Sequence, residues 1–496
     1  LDYSKANEFL PAIINVMMLA CKYPILLLAF LISVEFALAQ QQRSIKPNII
    51  LIMADDLGYG DVGCYGQQKI KTPAIDQLAK EGMKFTQFYC GTAVCSPSRS
   101  SFITGQHTGH TPVRGNKPAG PEGQWPLPDT TITIAKILKG QGYTNGAYGK
   151  WGLGAPGSTG DPLKQGFDHF FGYYNQTTAH NYYPTEIWDD DKRLSFPENK
   201  NGAENVYSAD IIHHAALSFI DKNANIPFFL FLAYTLPHAA LQVPKDSVYL
   251  NYIKAFIEQP APKIKENKTE GLAYQPYPHA AYASMVTRLD SYLNEVVQKI
   301  KSLGLENNTL IVFCSDNGPH KEGQNDPAFF NSNGGLRGIK RDLYEGGIRS
   351  PFIARWPGKI QSNVTNSFIG AFWDLFPTFA QLAGANISNM KQLDGVSMIP
   401  TLLNKNNQPQ HPFLYWEFHE QNGKQAVRLG KWKGVKINVS QNKLTALELY
   451  DLEKDPHETT NIAIQYPSIV EKLEAIIKNA HTETADWPLL KLSNSK

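Results

Sequence analysis

The sequence predicts an α/β fold, a sheet covered by helices on both faces, followed by a smaller C-terminal antiparallel β-sheet plus helix. Three observations carry this. Short apolar runs bounded by polar turns alternate with stretches of helical periodicity, the pattern of strands buried under helices. Beyond Leu402 the texture changes to closely spaced strand-like runs with one closing helix. The 496 residues, 42% of them hydrophobic, suffice for one large domain and a smaller one.

The buried-strand runs are Asn48 to Met53, Pro227 to Ala233, Thr309 to Phe313 and Pro351 to Trp356. Thr72-Pro73, then Ile75, Leu78 and Ala79, then Gly82 read as the N-cap, first-turn proline, inward face and stop of a helix. A second helix is expected from about Ala281 to Leu303, with Val286, Leu289, Leu293, Val297 and Ile300 on one face. In such a sheet ligands belong at the carboxyl ends of the strands. The C-terminal strands are Phe413 to Trp416, Gln425 to Leu429, Trp432 to Ile437 and Leu447 to Leu452. The closing helix is Pro467 to Ala480, with Ile469, Val470, Leu473, Ile476 and Ile477 inward. Stretches 175–202 and 258–280 read as insertion loops.

At the N-terminus, Lys22 precedes the apolar run Pro24 to Val34, and Ala37-Leu38-Ala39 offers a small-residue cleavage site before Gln40. This is a secretory signal peptide, too short for the roughly 20 residues of a membrane span, so no stable span is expected. The expected domains are 1–39 (upstream segment and signal peptide), 40–402 (catalytic) and 403–496 (C-terminal α+β). The protein is expected to be secreted, periplasmic or otherwise exported, with the lysosome also open. The 47 basic and 45 acidic residues nearly cancel, so nothing calls for nucleic acid or an anionic membrane. Cys64, Cys90, Cys95 and Cys314 lack the paired spacing of a zinc site.

The most informative segment is Cys95-Ser96-Pro97-Ser98-Arg99 through Thr104-Gly105. Pro97 can open a helix and Gly105 close it, placing Cys95 where backbone N–H groups and the dipole favour an anion. This segment resembles the signature of the type I sulfatases, arylsulfatase-like members of the alkaline phosphatase superfamily, in which the cysteine is oxidised to formylglycine by a formylglycine-generating (sulfatase-maturating) enzyme. The resemblance extends from Asn48 to the tail Glu448 to Glu458. It implies an alkaline-phosphatase-like mixed sheet and a sulfuric ester hydrolase whose hydrated aldehyde attacks sulfur.

Asp55-Asp56 and Asp316-Asn317 each follow a predicted strand, and four oxygen donors at two strand ends fit one hard divalent cation, calcium rather than zinc. Both pairs match the sulfatase metal ligands, with the modified Cys95 contributing another oxygen. The resemblance further implies catalytic or sulfate-binding roles for Arg99, for Lys150 in Gly149-Lys150-Trp151-Gly152-Leu153-Gly154, and for Lys340. His238 matches the histidine that protonates the leaving alcohol. One departure is Gly152, where many sulfatases carry histidine. His110 and His180 are candidates for the missing base or for substrate binding.

The substrate is expected to be a sulfated sugar or glycan. The variant at Gly152, with Thr108 to Asn116, resembles sulfatases acting on galactose- or N-acetylgalactosamine-type sulfates. His180, Tyr182, Tyr183 and Trp188 could line a sugar subsite. Two alternatives stand beside this reading. One is a phosphate or phosphonate monoester hydrolase of the same superfamily; the other is a catalytically silent sugar-binding relative.

Overall fold

A computed structural model describes residues 46–263, 272–441 and 445–489. The expected signal peptide and its cleavage site, and part of the 258–280 loop, lie outside them. Apolar runs become strands: β1 (Asn48–Ala54), β2 (Met83–Phe85), β3 (Phe88–Tyr89), β4 (Thr144–Lys150), β5 (His169–Tyr173), β6 (Glu186–Asp189), β7 (Lys192–Ser195), β8 (Phe228–Ala233), β9 (Thr309–Ser315), β10 (Phe352–Arg355), β11 (Val364–Asn366) and β12 (Gly370–Ala371). The main sheet has the order β11–β2–β10–β9–β1–β8–β4–β5–β6–β7. Its centre is parallel: Ile52 of β1 lies beside Phe313 and Leu232, and β4 continues the pattern against β8. Only β10, and the hairpin β6–β7 at the far edge, run antiparallel to the strand they join. The sheet is therefore mixed.

Alternation along β1 explains the two layers. Ile50, Ile52 and Ala54 face a core closed by the helices Pro73–Glu81, Ser208–Lys222 and Pro278–Ser302, while Ile49, Leu51 and Met53 face Cys95–Thr104, Ile134–Gly140 and Leu375–Leu382. Every strand of the parallel centre points its carboxyl end the same way, which brings the loops after β1, β4, β8 and β9 together.

Three expectations need correction in detail. The 175–202 stretch is not merely a loop, because its middle forms β6 and β7 and widens the sheet. Thr72 precedes the helix Pro73–Glu81 but its side chain does not cap it; the Asp290 carboxylate does, accepting from the N–H groups of Ala74 (3.1 Å) and Ile75 (2.7 Å). The signature helix starts at Cys95, two residues before Pro97, whose missing N–H falls among the first-turn donors that have no helical partner anyway.

The C-terminal strands β13 (Leu414–Phe418), β14 (Lys424–Leu429), β15 (Trp432–Ile437) and β16 (Glu448–Asp451) form a four-stranded antiparallel sheet. One face packs Trp416, Ala426 and Val435 against Tyr89, Val94 and Trp373; the other packs Tyr415, Val427 and Leu449 under the helix Pro467–Ala480. Among the described residues no helix is long and apolar enough to cross a membrane.

Candidate active site

The parallel strands decide which side chains meet. β1 ends at Ala54, so Asp55 and Asp56 emerge at its carboxyl end; β9 ends at Ser315, so Asp316 and Asn317 emerge beside them. The two loops are zipped together. Asp316 N–H donates to Ala54 O (3.1 Å), and Asp56 N–H donates to Asp316 Oδ1 (3.1 Å). Lys150 is the last residue of β4, and the loop after β8 carries His238. All of these side chains are buried.

Cys95 begins its helix after the extended Val94, with all ten helical residues buried. Its thiol donates to Asp55 Oδ1 (3.3 Å), and Lys150 Nζ lies 3.4 Å from the sulfur. Burial and the neighbouring Asp55 push this thiol well above its usual range, so as a cysteine it is protonated and a poor nucleophile. One helical turn on, Arg99 donates to Asp316 Oδ2 through Nε (3.2 Å) and Nη2 (2.8 Å), and through Nη1 to the carbonyl of Lys150. Arg99 thus ties the helix, β9 and β4 into one rigid frame.

Oxygen donors gather here, and one of them, on Asn317, has no partner. Asp55, Asp56 and Asp316 are fully buried, and burial together with Asp55 pushes the Asp316 carboxyl up to about 7. Lys150 is drawn onto Asp55 Oδ2 (2.6 Å) and Lys340 onto Asp56 Oδ2 (2.8 Å) as counter-charges. Asn317 donates through Nδ2 to Asp56 Oδ1 (2.6 Å), yet its own Oδ1 is buried with no partner. A buried amide oxygen left open beside three carboxylates is what a hard, oxygen-preferring cation would satisfy, so the donor set fits a divalent metal. Asp55, Asp56, Cys95 and His238 also each offer a ligand atom within 4.8 Å of the others.

Comparison with known proteins decides the family. The Sulfatase family model matches residues 47–385, and that of the N-sulphoglucosamine sulphohydrolase C-terminal region matches 338–483. The chain belongs to the sulfatase family. It is a sulfuric ester hydrolase with the alkaline-phosphatase-like arrangement of a helix-flanked mixed sheet. Among sulfatases similar to it, arylsulfatase A of Homo sapiens is 32% identical over 448 residues, covering 84% of this chain and 83% of the relative. The N-acetylgalactosamine-6-O-sulfatase of Bacteroides thetaiotaomicron is 30% identical over 519 residues, covering 89% and 94%. The crystal structure of Ps i-CgsB superposes with a TM-score of 0.74 at 29% identity, covering 90% of this chain and 95% of the other.

In the same cluster, Lys340 Nζ donates to Asp56 Oδ2, to Glu322 Oε2 (3.0 Å) and to His238 Nε2 (3.3 Å). His238 fixes its other nitrogen on Ala239 O (2.6 Å), so Nε2 is the one turned to the centre. Burial and the nearby Lys150 hold His238 well below its usual range. His180 stacks on His238, and beside it opens a cleft of about 640 Å³ lined also by Asn181, Tyr183 and Gln242. Tyr182 is buried behind this cleft, donating to Thr235 O (2.7 Å) and His238 O (3.0 Å), and Trp188 packs on Tyr174 and Arg193.

His110 is placed with different partners. Its Nδ1 lies 3.0 Å from both oxygens of Asp394 and its ring stacks on His107. Sequence reasoning overlooked Glu322, His320 and Gln176. His320 donates through Nε2 to Pro237 O (3.1 Å) and accepts the Glu322 N–H on Nδ1 (3.1 Å), locking the loop after β9 to the loop that carries His238. Their closeness to Asp316-Asn317 was the signal available. Gln176 donates to Ser96 Oγ (2.9 Å) and gave no such signal.

Proposed function

We propose that this sulfatase removes sulfate from a sugar or glycan ester, of galactose or N-acetylgalactosamine type, with Cys95 matured to formylglycine by a formylglycine-generating enzyme and calcium held by Asp55, Asp56, Asp316, Asn317 and the matured Cys95. The observation that carries the reading is the setting of Cys95: a side chain at a buried helix start, between Asp55 and Lys150, facing Lys340 and His238, yet inert as a thiol. A hydrated aldehyde at that position supplies a strong oxygen nucleophile, and the cation supplies positive charge against the sulfate oxygens. The remaining work falls to this chain's own side chains. Lys150 and Arg99 hold the nucleophile's position, Lys340 neutralises sulfate charge, and His238 Nε2, unprotonated in this site and accepting from Lys340 Nζ, takes that proton and passes it to the leaving alcohol.

The relatives' substrates favour a sugar, as one relative is an N-acetylgalactosamine-6-O-sulfatase and Ps i-CgsB is also solved with k-i-k-neocarrahexaose. The signal peptide read from the sequence favours export. The test is mass spectrometry of the tryptic fragment carrying Cys95, from protein made together with a formylglycine-generating enzyme, beside a Cys95→Ala control. A loss of about 18 mass units relative to the thiol, with sulfate release only by the modified protein, is the expected outcome. Full activity with an unmodified thiol would overturn the reading, as would phosphate-ester turnover exceeding sulfate-ester turnover.

A further inference from the structure

At the side of the site away from Cys95, one ion pair has no task in the chemistry described above. Glu322 Oε1 lies 2.5 Å from Arg341 Nη1, while Oε2 accepts from Lys340 and sits 3.9 Å from His238 Nε2. Exposure separates this pair from the catalytic groups: the side chains of Asp56, His238 and Lys340 are 0%, 1% and 3% exposed, that of Glu322 is 11% and that of Arg341 is 33%. Arg341 forms the solvent-facing rim of the cluster, with Glu322 behind it. Arg341 is fixed there from its backbone, its N–H donating to Ala93 O (2.9 Å), two residues before Cys95, and its carbonyl accepting from Lys424 Nζ (2.7 Å).

The two side chains are in charge contact, which closes Glu322 Oε1 to solvent and leaves the outer arm of Arg341 as the exposed face of the pair. Burial works against the Glu322 carboxylate, but the Lys340 and Arg341 charges hold it well below the usual range, so it is ionised and only accepts. Arg341 only donates, through a five-donor fork of which one arm meets Glu322. The free donors of Arg341 at this rim match the oxygen of a sugar hydroxyl, and Glu322 fixes the guanidinium that carries them. A nitrogen that protonates the leaving oxygen must touch that oxygen. A carboxylate 3.9 Å from the same nitrogen is therefore level with the atoms next to the ester.

We infer that the Glu322–Arg341 pair is a recognition subsite for a hydroxyl neighbouring the sulfate ester on the leaving sugar. The inference rests on the sugar-sulfate reading above. It separates two kinds of substrate, because an aryl sulfate offers no such hydroxyl. A pair that served only to position Lys340 would matter equally for both.

The experiment compares kcat/KM of wild type, Glu322→Gln, Arg341→Gln and Arg341→Lys, all matured and calcium-loaded, on 4-nitrophenyl sulfate and on a panel of O-sulfated galactose and N-acetylgalactosamine. Arg341→Lys keeps the charge beside Glu322 and removes only the fork. Each variant is expected to lose at least about tenfold more on the sugar sulfate than on the aryl sulfate, whose turnover also reports correct folding. Equal losses on both substrates, with wild-type sugar turnover intact, would overturn the subsite alone. Wild type that cleaves the aryl sulfate but no sulfated sugar would overturn the sugar reading and the subsite together.

Discussion

His180 and His238 lie ring on ring, their centroids 4.7 Å apart and their planes inclined by 21°. Since Ala239 O already fixes Nδ1 of His238, the stack removes the remaining freedom of the ring and aims Nε2 at Lys340. Burial and Lys150 push His180 down to about 4, so it is neutral around pH 7 and adds no charge to the site. His180→Ala is expected to lower kcat on sugar sulfates about tenfold, equivalent to ~1.4 kcal/mol of barrier. On 4-nitrophenyl sulfate, whose leaving group needs no proton, the loss should be smaller. Steady-state kinetics on both substrates checks this; an equal loss would speak against aiming of the proton donor.

Metal removal gives a second prediction. With three buried carboxylates and an open Asn317 oxygen, the site should gain stability from the cation itself. At a hundred times the dissociation constant that gain is ~2.7 kcal/mol. Chelation should lower the melting temperature and abolish turnover, and calcium should restore both. In Asp316→Ala the calcium-induced shift should vanish. A wild-type melting curve indifferent to calcium and chelator would contradict the ligand set.

The junction with the small sheet carries a buried charge network that is independent of the chemistry. Lys433 Nζ bonds Glu345 Oε1 (2.8 Å) and lies 3.2 Å from Glu458 Oε1, and all three side chains are fully buried. Lys433→Met leaves Glu458 buried beside Glu345 without its cation, while Arg349 still holds Glu345. A loss of roughly 3–5 kcal/mol is expected in denaturant unfolding, the cost of breaking a buried pair from one side. A change below about 1 kcal/mol would mean that Arg349 and Arg428 compensate.

Asp61 supplies a pH prediction away from the proposed metal ligands. It accepts from Gly58 N–H (2.7 Å) and Tyr282 hydroxyl (2.6 Å), but burial pushes it up from 3.8 to about 7. The folded protein therefore binds more protons than the unfolded chain between these values. This group's contribution to stability is complete below about pH 4 and is lost as pH rises through about 7. Asp61→Asn should flatten that part of the stability-versus-pH curve. An unchanged slope would show that Asp61 ionises normally.

The architecture was legible because the central strands are nearly pure apolar runs: Phe228–Ala233 and Thr309–Ser315 differ from their sequence bounds by one or two residues. The closing helix Pro467–Ala480 matches its expected ends, marked by a first-turn proline. Asp55 and Asp316 were visible because each follows such a strand directly. The hairpin β6–β7 was hidden because Lys192–Ser195 is exposed throughout and has no apolar face to betray it. Helix capping by Asp290 and the contribution of Glu322 were hidden for another reason: both depend on contacts between residues distant in sequence, which periodicity cannot reveal.

Gly152 shows what the departure at that position entails. Its φ of +78° lies in the left-handed region, and a Cβ there would come within 3.2 Å of both Gln176 Nε2 and Ser96 Oγ, and 3.8 Å of Arg99 Cδ. The space beside the signature helix that a side chain at 152 would enter is therefore taken by the Gln176 amide and its bond to Ser96. Gly152→Ala is expected to cost roughly 1–2 kcal/mol from the left-handed backbone alone, and to lower activity further by displacing Gln176. Gln176→Ala should reproduce the activity loss without the full stability loss, because it leaves the backbone at 152 unstrained. Gly152→His should not rescue activity in the wild-type background, since the imidazole would meet Gln176. If Gly152→His instead matched or exceeded wild-type turnover, Gln176 would have no part in holding the first turn at Cys95.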